Sequence, residues 1–363
     1  MNRRHVLMGG GALAIAGAGA SYLGIRQMGS LETFEAAASA TRAPLPAHPE
    51  AADYIRYATL APNGHNTQPW TFRASAERIE ILPDFQRRTP VVDPDDHHLY
   101  VSLGCAAENL ALAAAARGRL GEVSFDDTGD GRIVAEFGDG RSSDKALFQA
   151  IPVRQSTRAA FDFSPASASD IAMLRAAADV PGVALTILQD APGLARVVDM
   201  VAAGNSTQMA DPAFMKELKS WMRFNAASAA EKGDGLFSAA TGNPQLPDWL
   251  GSLAIDWFLS AKSENEKYAA QIRSSAGVAI FAGEKADHDH WVRVGRACQR
   301  FALQATALGM KHAFINQPVE VPGLRAGLAE LAGWPGQRPD IVMRFGRGPT
   351  LPYSARRPAT MVS

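Results

Sequence analysis

Residues 61–72 read Ala61-Pro62-Asn63-Gly64-His65-Asn66-Thr67-Gln68-Pro69-Trp70-Thr71-Phe72, and each residue type there suits backbone packed against a flat, polar ring. Pro62 ends the apolar helical run Tyr54–Ala61. Asn63-Gly64 is a turn pair that tolerates positive φ. Gly64 has no Cβ to keep a ligand away from the backbone. Asn66 and Gln68 offer both donors and acceptors. Pro69-Trp70 then opens an extended segment, Trp70–Arg73, that reads as a strand. By residue type alone the stretch fits either a ligand loop or a plain helix–strand connection.

Further along, residues 151–161 read Ile-Pro-Val-Arg-Gln-Ser-Thr-Arg-Ala-Ala-Phe, with Arg154, Ser156 and Arg158 within five residues. Two forked, charged donors around a hydroxyl suit a phosphate, and a solvated basic turn is the plainer alternative. Near the C-terminus, Asp340–Gly346 alternates like a strand, and Ser354-Ala-Arg356-Arg357-Pro358 follows as a second basic segment.

An internal repeat links the two halves. Tyr100-Val-Ser-Leu-Gly104 and Trp291-Val-Arg-Val-Gly295 each open an Ala-rich helical segment closed by a glycine, Gly118 and Gly309. The offset is constant, 295 − 104 = 191 and 309 − 118 = 191. Small and apolar residues recur at helical spacing in both, which favours a duplicated unit over chance.

Composition sets the frame. The chain has 363 residues, 47% hydrophobic and 20% charged, an ordinary globular balance with length for about two domains. A net charge of −1 leaves no electrostatic footprint for nucleic acid. The two cysteines, Cys105 and Cys298, exclude a disulfide scaffold and a cysteine-only metal site, and their Ala-rich surroundings suit buried free thiols, with one disulfide formed after export as the alternative. His97-His98 and His288-Asp-His290 read as surface loops before helices, not as metal sites. Tyr57, Trp70 and Phe224 could stack on a ring, though core packing explains each more simply.

At the N-terminus, Arg3-Arg4 precede an uncharged, Gly/Ala-rich run, Val6–Ile25. This looks like a twin-arginine export signal, with cleavage after Ala20 or Ala40; an uncleaved anchor is the alternative. Residues 1–45 are therefore expected to be signal and linker, and the chain is expected to be exported to the periplasm by the twin-arginine machinery.

The stretch at 61–70 resembles the Ala-Pro-Ser-x-x-Asn-x-Gln-Pro-Trp loop of the nitroreductase-like FMN proteins, with Asn63 in place of the usual Ser. Arg154–Arg158 is similar to that family's Arg-x-Ser-x-Arg motif, although here it follows the Ala-Pro loop instead of preceding it. The resemblance points to the exported, fused-domain (Acg-like) branch. It implies an α+β nitroreductase-like fold in two fused copies, residues 46–150 and 151–363, forming an intrachain pseudo-dimer that acts as a monomer. It implies FMN bound by Pro62, Asn63, Gly64, Asn66 and Gln68 on the ring side. Arg154, Ser156, Arg158 and Arg356 would lie at the phosphate, and a backbone N–H near Glu320 or Val321 would face flavin N5. No residue is singled out as catalytic. Offset by 191, the Ala-Pro loop would recur near Ala254, where nothing matches, so one FMN per chain is expected. Residues 205–262 would be an insertion, either a lid or a helical filler of the vacant second site. The activity implied is electron transfer from NAD(P)H or another reductant to a small nitro, quinone or related acceptor; a non-catalytic, flavin-sequestering protein with a closed lid is the alternative.

Overall fold

The computed structural model describes residues 27–119, 121–140, 144–258 and 260–362. The twin arginines and the uncharged run lie outside these residues. The architecture is α+β, with two antiparallel four-stranded sheets flanking a pair of long helices.

The first sheet contains β1 (Trp70–Ala74), β2 (Arg78–Pro83), β3 (Val123–Asp126) and β4 (Arg132–Glu136), in the order β1-β2-β4-β3. The second contains β5 (Val183–Leu188), β8 (Gly277–Gly283), β9 (Lys311–Phe314) and β10 (Ile341–Gly346), in the order β5-β8-β10-β9. The connection pattern is the same in both, with a long helix after the second strand of each. These helices are α3 (His97–Ala116) and α11 (His288–Ala307). Helix α2 (Ala51–Thr59) precedes β1 and packs on α3, the short α4 (Lys145–Ala150) packs on both long helices, and α5 (Ala168–Ala177) precedes β5 and packs on α11 as α2 does on α3.

Helices α3 and α11 cross where the sequence repeat puts its glycines. A Cβ on Gly104 would sit 2.1 Å from the Val292 carbonyl oxygen, and one on Gly295 would sit 2.0 Å from that of Val101. Only glycine lets the two backbones approach this closely. Beside the crossing, Gln299 Nε2 donates to Asn109 Oδ1 at 2.6 Å. The buried Glu108 carboxylate accepts from Arg296 (2.9 Å) and Arg300 (2.8 Å). Cys105 and Cys298 are buried free thiols at the same interface. The main core runs through both sheets and both helices, and a second core lies on the far face of β8 and β10.

Between β5 and β8 the chain inserts α6 (Ala191–Ala210), α7 (Pro212–Trp221), β6 (Met222–Arg223), α8 (Ala226–Lys232), β7 (Leu236–Phe237), α9 (Asp248–Phe258) and α10 (Ala261–Arg273). The insertion is therefore longer than the 205–262 read from composition, because α6 and α10 flank the irregular stretch as regular helices. Between β9 and β10 lie α12 (Gln317–Glu320) and α13 (Arg325–Ala332).

Residues 31–45 differ from their expected role as linker. Leu31–Ala40 forms a helix, α1, with Ser30 as its N-cap. Its Phe34 and Ala38 are buried against Ala226, Ala229, Phe237 and Ala355. At the other end the chain returns to the first sheet. Phe72 N donates to Thr360 O (2.9 Å) and Val362 N to Phe72 O (2.8 Å), so the tail covers the exposed edge of β1.

Candidate functional site

The Ala-Pro loop is held in an unusual conformation. Positive φ falls on His65 (46°), Asn66 (55°) and Gln68 (56°), whereas Asn63 is extended. The sequence had placed this freedom at Asn63-Gly64. Left-handed backbone at non-glycine residues costs about 1–3 kcal/mol each and persists only where neighbours fix it. The fixing contacts are present. Asn63 Oδ1 accepts from Gln68 N (2.8 Å). Asn66 Nδ2 donates to the carbonyls of Gly235 and Ala355, both at 3.2 Å. Gln68 Nε2 donates to Gly233 O (2.8 Å), and its Oε1 accepts from Arg357 N (3.0 Å). The loop is thus pinned to the insertion and to the C-terminal tail.

This accounting corrects one expectation. Gln68 is buried, borders none of the three cavities described below, and has both ends of its amide engaged by protein. It shapes the loop instead of reading a ligand. Gly64 keeps its expected place: a Cβ there would meet no protein atom within 4 Å, and the residue borders a cavity.

Three adjoining cavities share Arg158 and Leu236 in their lining, and the loop borders the first two. The first, of about 230 Å³, is bordered by Pro62, Asn63, Gly64 and His65 on one side and by Asn316, Gln317 and Glu320 on the other. The second, of about 60 Å³, is small and polar, and gathers Arg42, Arg154, Arg158, Arg356 and Ser156. The third, of about 370 Å³, lies within the insertion, between Phe224, Leu246 and Ile255. Tyr57 and Trp70 are core residues; Phe224 faces the third cavity.

The 60 Å³ cavity has a marked charge imbalance. Four guanidiniums border it and no carboxylate does, and among the described residues none of the four forms an ion pair. Burial, then repulsion by Arg154, pulls the Arg42 guanidinium down to about 10. Burial brings Arg154 to about 10 as well. Arg158 is lowered by burial, and Arg356 falls well below its usual range through burial and repulsion from Arg42 and Arg154. Uncompensated buried charge of one sign is costly, and an anion in this cavity would relieve it.

The four arginines differ in what else they do. Arg356 is largely committed: it donates to the carbonyls of Thr59 (2.5 Å), Leu60 (3.2 Å) and Ala61 (3.1 Å) at the end of α2, and to Asn66 Oδ1 (2.9 Å). It caps α2 and braces the loop while bordering the cavity. Arg154 donates to Leu60 O (2.7 Å) and leaves Nε without a partner. The Arg158 guanidinium has no hydrogen-bond acceptor among the described residues. Arg42, at the end of α1, escaped the sequence reading because residues 1–45 had been set aside; its side chain stacks on Tyr353 at 4.0 Å.

The 230 Å³ cavity presents orphaned polar atoms. His65 Nδ1, His98 Nε2 and Gln317 Oε1 are buried without partners among the described residues, and all three residues border it. Burial, with repulsion from Arg158 and His98, brings His65 down to about 4, so it is neutral at pH 7. Burial raises the Glu320 carboxyl, which accepts from Gln208 Nε2 at 2.6 Å. Small polar anchors on a largely enclosed wall suit a ring with hydrogen-bonding edges.

Two further expectations change. The N–H groups of Glu320 and Val321 are spent on Asn316 O (2.9 Å) and Gln317 O (3.0 Å), so neither is free to face a ligand. Val321 borders none of these three cavities, while Glu320 lines the first. His97 and His98 begin α3 and are not surface loop. With Asp93 they bring possible metal-ligand atoms within 4.8 Å of one another. Two of the three have structural work: Asp93 accepts from His98 N and Leu99 N (3.0 Å each), and His97 Nε2 lies 2.9 Å from Asp340 Oδ1.

Fold and site together define an α+β protein with a basic cradle beside a polar-edged cavity. Over 324 residues the chain is 30% identical to a Mycobacterium tuberculosis (strain H37Rv) protein provisionally named NAD(P)H nitroreductase Rv3131, spanning 85% of this chain and 89% of that one. The chain therefore belongs to the nitroreductase family. It is also 26% identical over 281 residues to the uncharacterized protein MT1398 of strain CDC 1551, covering 73% of this chain and 39% of that one. No family model matches the chain. Solved structures similar to it include the FMN-dependent nitroreductase NfnB of Mycobacterium smegmatis in complex with NADPH. That likeness has 12% identity and a TM-score of 0.39, over 57% of this chain and 89% of that one. A Bacteroides fragilis nitroreductase with bound FMN gives 18% identity and a TM-score of 0.37, over 60% and 97%. At these scores the structural likeness carries no weight beside the sequence relationship.

Proposed function

We propose that this chain is an FMN-dependent oxidoreductase of nitroreductase type, taking electrons from NAD(P)H or another reductant and passing them to a small nitro, quinone or related acceptor. The observation that carries the reading is the cradle of Arg42, Arg154, Arg158 and Arg356 with no carboxylate among its lining residues. Such a cradle fits the phosphate of FMN, with Arg158, Arg154 and Ser156 as donors and Arg42 as an added cation. The adjoining cavity, edged by the strained loop and by Asn316 and Gln317, fits the flavin ring. When bound, FMN supplies the redox chemistry, and the protein supplies position and electrostatics. Here that means a neutral His65 and a half-buried Glu320 at the cavity wall, with Leu218 and Leu236 of the insertion lining it.

The repeated connection pattern and the paired glycines support a fused pseudo-dimer with one site at one end of the α3–α11 interface. The twin-arginine-like start supports export to the periplasm of a folded, FMN-loaded chain. Helix α1 and Arg42 belong to the body, so cleavage after Ala20 fits the fold, whereas cleavage after Ala40 would strip away a packed helix. The visible spectrum of the purified protein tests the flavin reading: a flavin spectrum with FMN released on denaturation is expected, and a colourless folded protein that takes up no added FMN would overturn it.

A further inference from the structure

Helix α9 is apolar on both sides. Its inner side, through Gly251, Ala254 and Ile255, lines the 370 Å³ chamber, and Gly251 is so tightly seated that a Cβ would fall 2.2 Å from the Phe224 ring. Its outer side is exposed: Trp249 is 63%, Leu253 48% and Trp257 79% accessible, with Leu250 beside them. These positions follow helical spacing and make one continuous apolar face on a helix whose acidic residues are Asp248 and Asp256. Of the nine large hydrophobic residues that are exposed among the described ones, four are on this helix. Such a patch marks a partner surface, and tryptophan pairs suit the boundary between lipid headgroups and acyl chains.

The start of the described chain says which partner. Met28 O accepts from Ala227 N (2.8 Å), which seats the first described residues against α8. The neighbouring Asn225 donates to Leu246 O (3.1 Å) and to Asp248 Oδ1 (2.9 Å), at the first turn of α9. The described chain therefore begins beside the first turn of α9, with the uncharged run Val6–Ile25 just ahead of it in sequence. A membrane that takes up this run would lie next to α9.

We propose that α9 is an interfacial helix that docks the folded protein on a phospholipid bilayer through Trp249, Leu250, Leu253 and Trp257. The inference goes beyond the redox reading and does not depend on it. The docked helix separates the 370 Å³ chamber from the lipid by one helix thickness.

The test uses the full chain with phosphatidylcholine vesicles carrying brominated acyl chains, and reads tryptophan quenching. Of the six tryptophans, Trp70 and Trp291 are buried and Trp221 and Trp334 half-buried, so the quenching lost with Trp249 and Trp257 reports on α9. Strong quenching is expected, and it should be lost in Trp249→Phe/Trp257→Phe. In Leu253→Glu, which keeps both tryptophans, the fraction of α9 in lipid contact should fall about tenfold. These positions are exposed, so the variants should fold, and circular dichroism checks this. Vesicle-bound protein without quenching, or no vesicle binding at all, would overturn the proposal. So would a dimer in solution that Leu253→Glu dissociates, since a second copy would then be what covers the face. Flavin content is measured separately, so failure here leaves the flavin reading standing.

Discussion

Gly104 and Gly295 occupy matching positions on two helices, and each faces the backbone of the other helix: the Val292 carbonyl stands against one, the Val101 carbonyl against the other. Val101 and Val292 are themselves 191 residues apart, as are the glycines. The two contacts are therefore equivalent, and they set the distance between α3 and α11. Replacing either glycine by alanine forces a Cβ into a carbonyl oxygen, which side-chain rotation cannot relieve. Gly104→Ala and Gly295→Ala should each cost about 3 kcal/mol, the upper end of usual over-packing penalties. Urea unfolding measures this, and two variants as stable as the parent would contradict the close crossing.

The guanidinium cluster separates into two roles that mutation can resolve. Arg158 lacks a protein acceptor among the described residues, and Arg42 holds only the Ala38 carbonyl (3.1 Å) and the Thr41 hydroxyl (3.3 Å). Arg158→Ala and Arg42→Ala should each weaken FMN binding by about 10- to 100-fold, the worth of a charge-assisted hydrogen bond. Arg356 is tied to the end of α2, so Arg356→Ala should lower folding stability by about 1–3 kcal/mol whether or not FMN is present. Flavin-fluorescence titration and apo-protein unfolding distinguish the two. Unchanged FMN affinity in Arg158→Ala would remove the phosphate assignment.

How far the sequence reached depends on the kind of signal. The long helices were legible because small residues at helical spacing, glycine stops and a constant offset all mark the same segments, His97–Ala116 and His288–Ala307. The constant offset then misled the search for a second Ala-Pro loop near Ala254. It holds across the long helices, His97–Ala116 and His288–Ala307, but the insertion between β5 and β8 displaces everything before the second strand of each sheet. By topology the counterpart of the loop is the short turn between α5 and β5, residues 178–182. Arg154, Ser156 and Arg158 were legible as a local cluster. Arg42 was not, because it reaches the cradle only once α1 packs on the insertion. Gln68 looked like a ligand residue because an amide carries the same groups whether it faces a ligand or a backbone; only the carbonyl of Gly233 and the N–H of Arg357, far away in sequence, decide the matter.

Acid should weaken the apo fold through the histidine at the loop. His65 titrates near 6.5 when unfolded and near 4 in the fold, so in that interval the unfolded chain binds more protons. Its contribution is fully present above pH 6.5 and is lost as pH falls towards 4. His97, brought down to about 3 by burial, adds little, because burial raises its neighbour Asp340 to about 7 and the pair then holds one proton in both states across this interval. Stability measured by urea unfolding should therefore decline from pH 6.5 to 4.5, and His65→Gln should make that decline shallower. An identical slope in the variant would show that His65 does not titrate differently on folding.

The pinned loop predicts how the site fails when its supports are removed. Asn66 holds left-handed backbone only because Gly235 O, Ala355 O and Arg356 take all of its amide. Asn66→Ala removes those bonds and leaves a residue poorly suited to φ 55°. It should destabilise the protein by about 1–3 kcal/mol and also loosen FMN. Asn66→Asp keeps the acceptor for Arg356 but loses both donated bonds, so it should fall between the parent and Asn66→Ala. Thermal unfolding with and without FMN reads both effects. If Asn66→Ala lowered FMN affinity with no loss of apo stability, Asn66 would be a direct ligand of the flavin and not the brace that the hydrogen bonds describe.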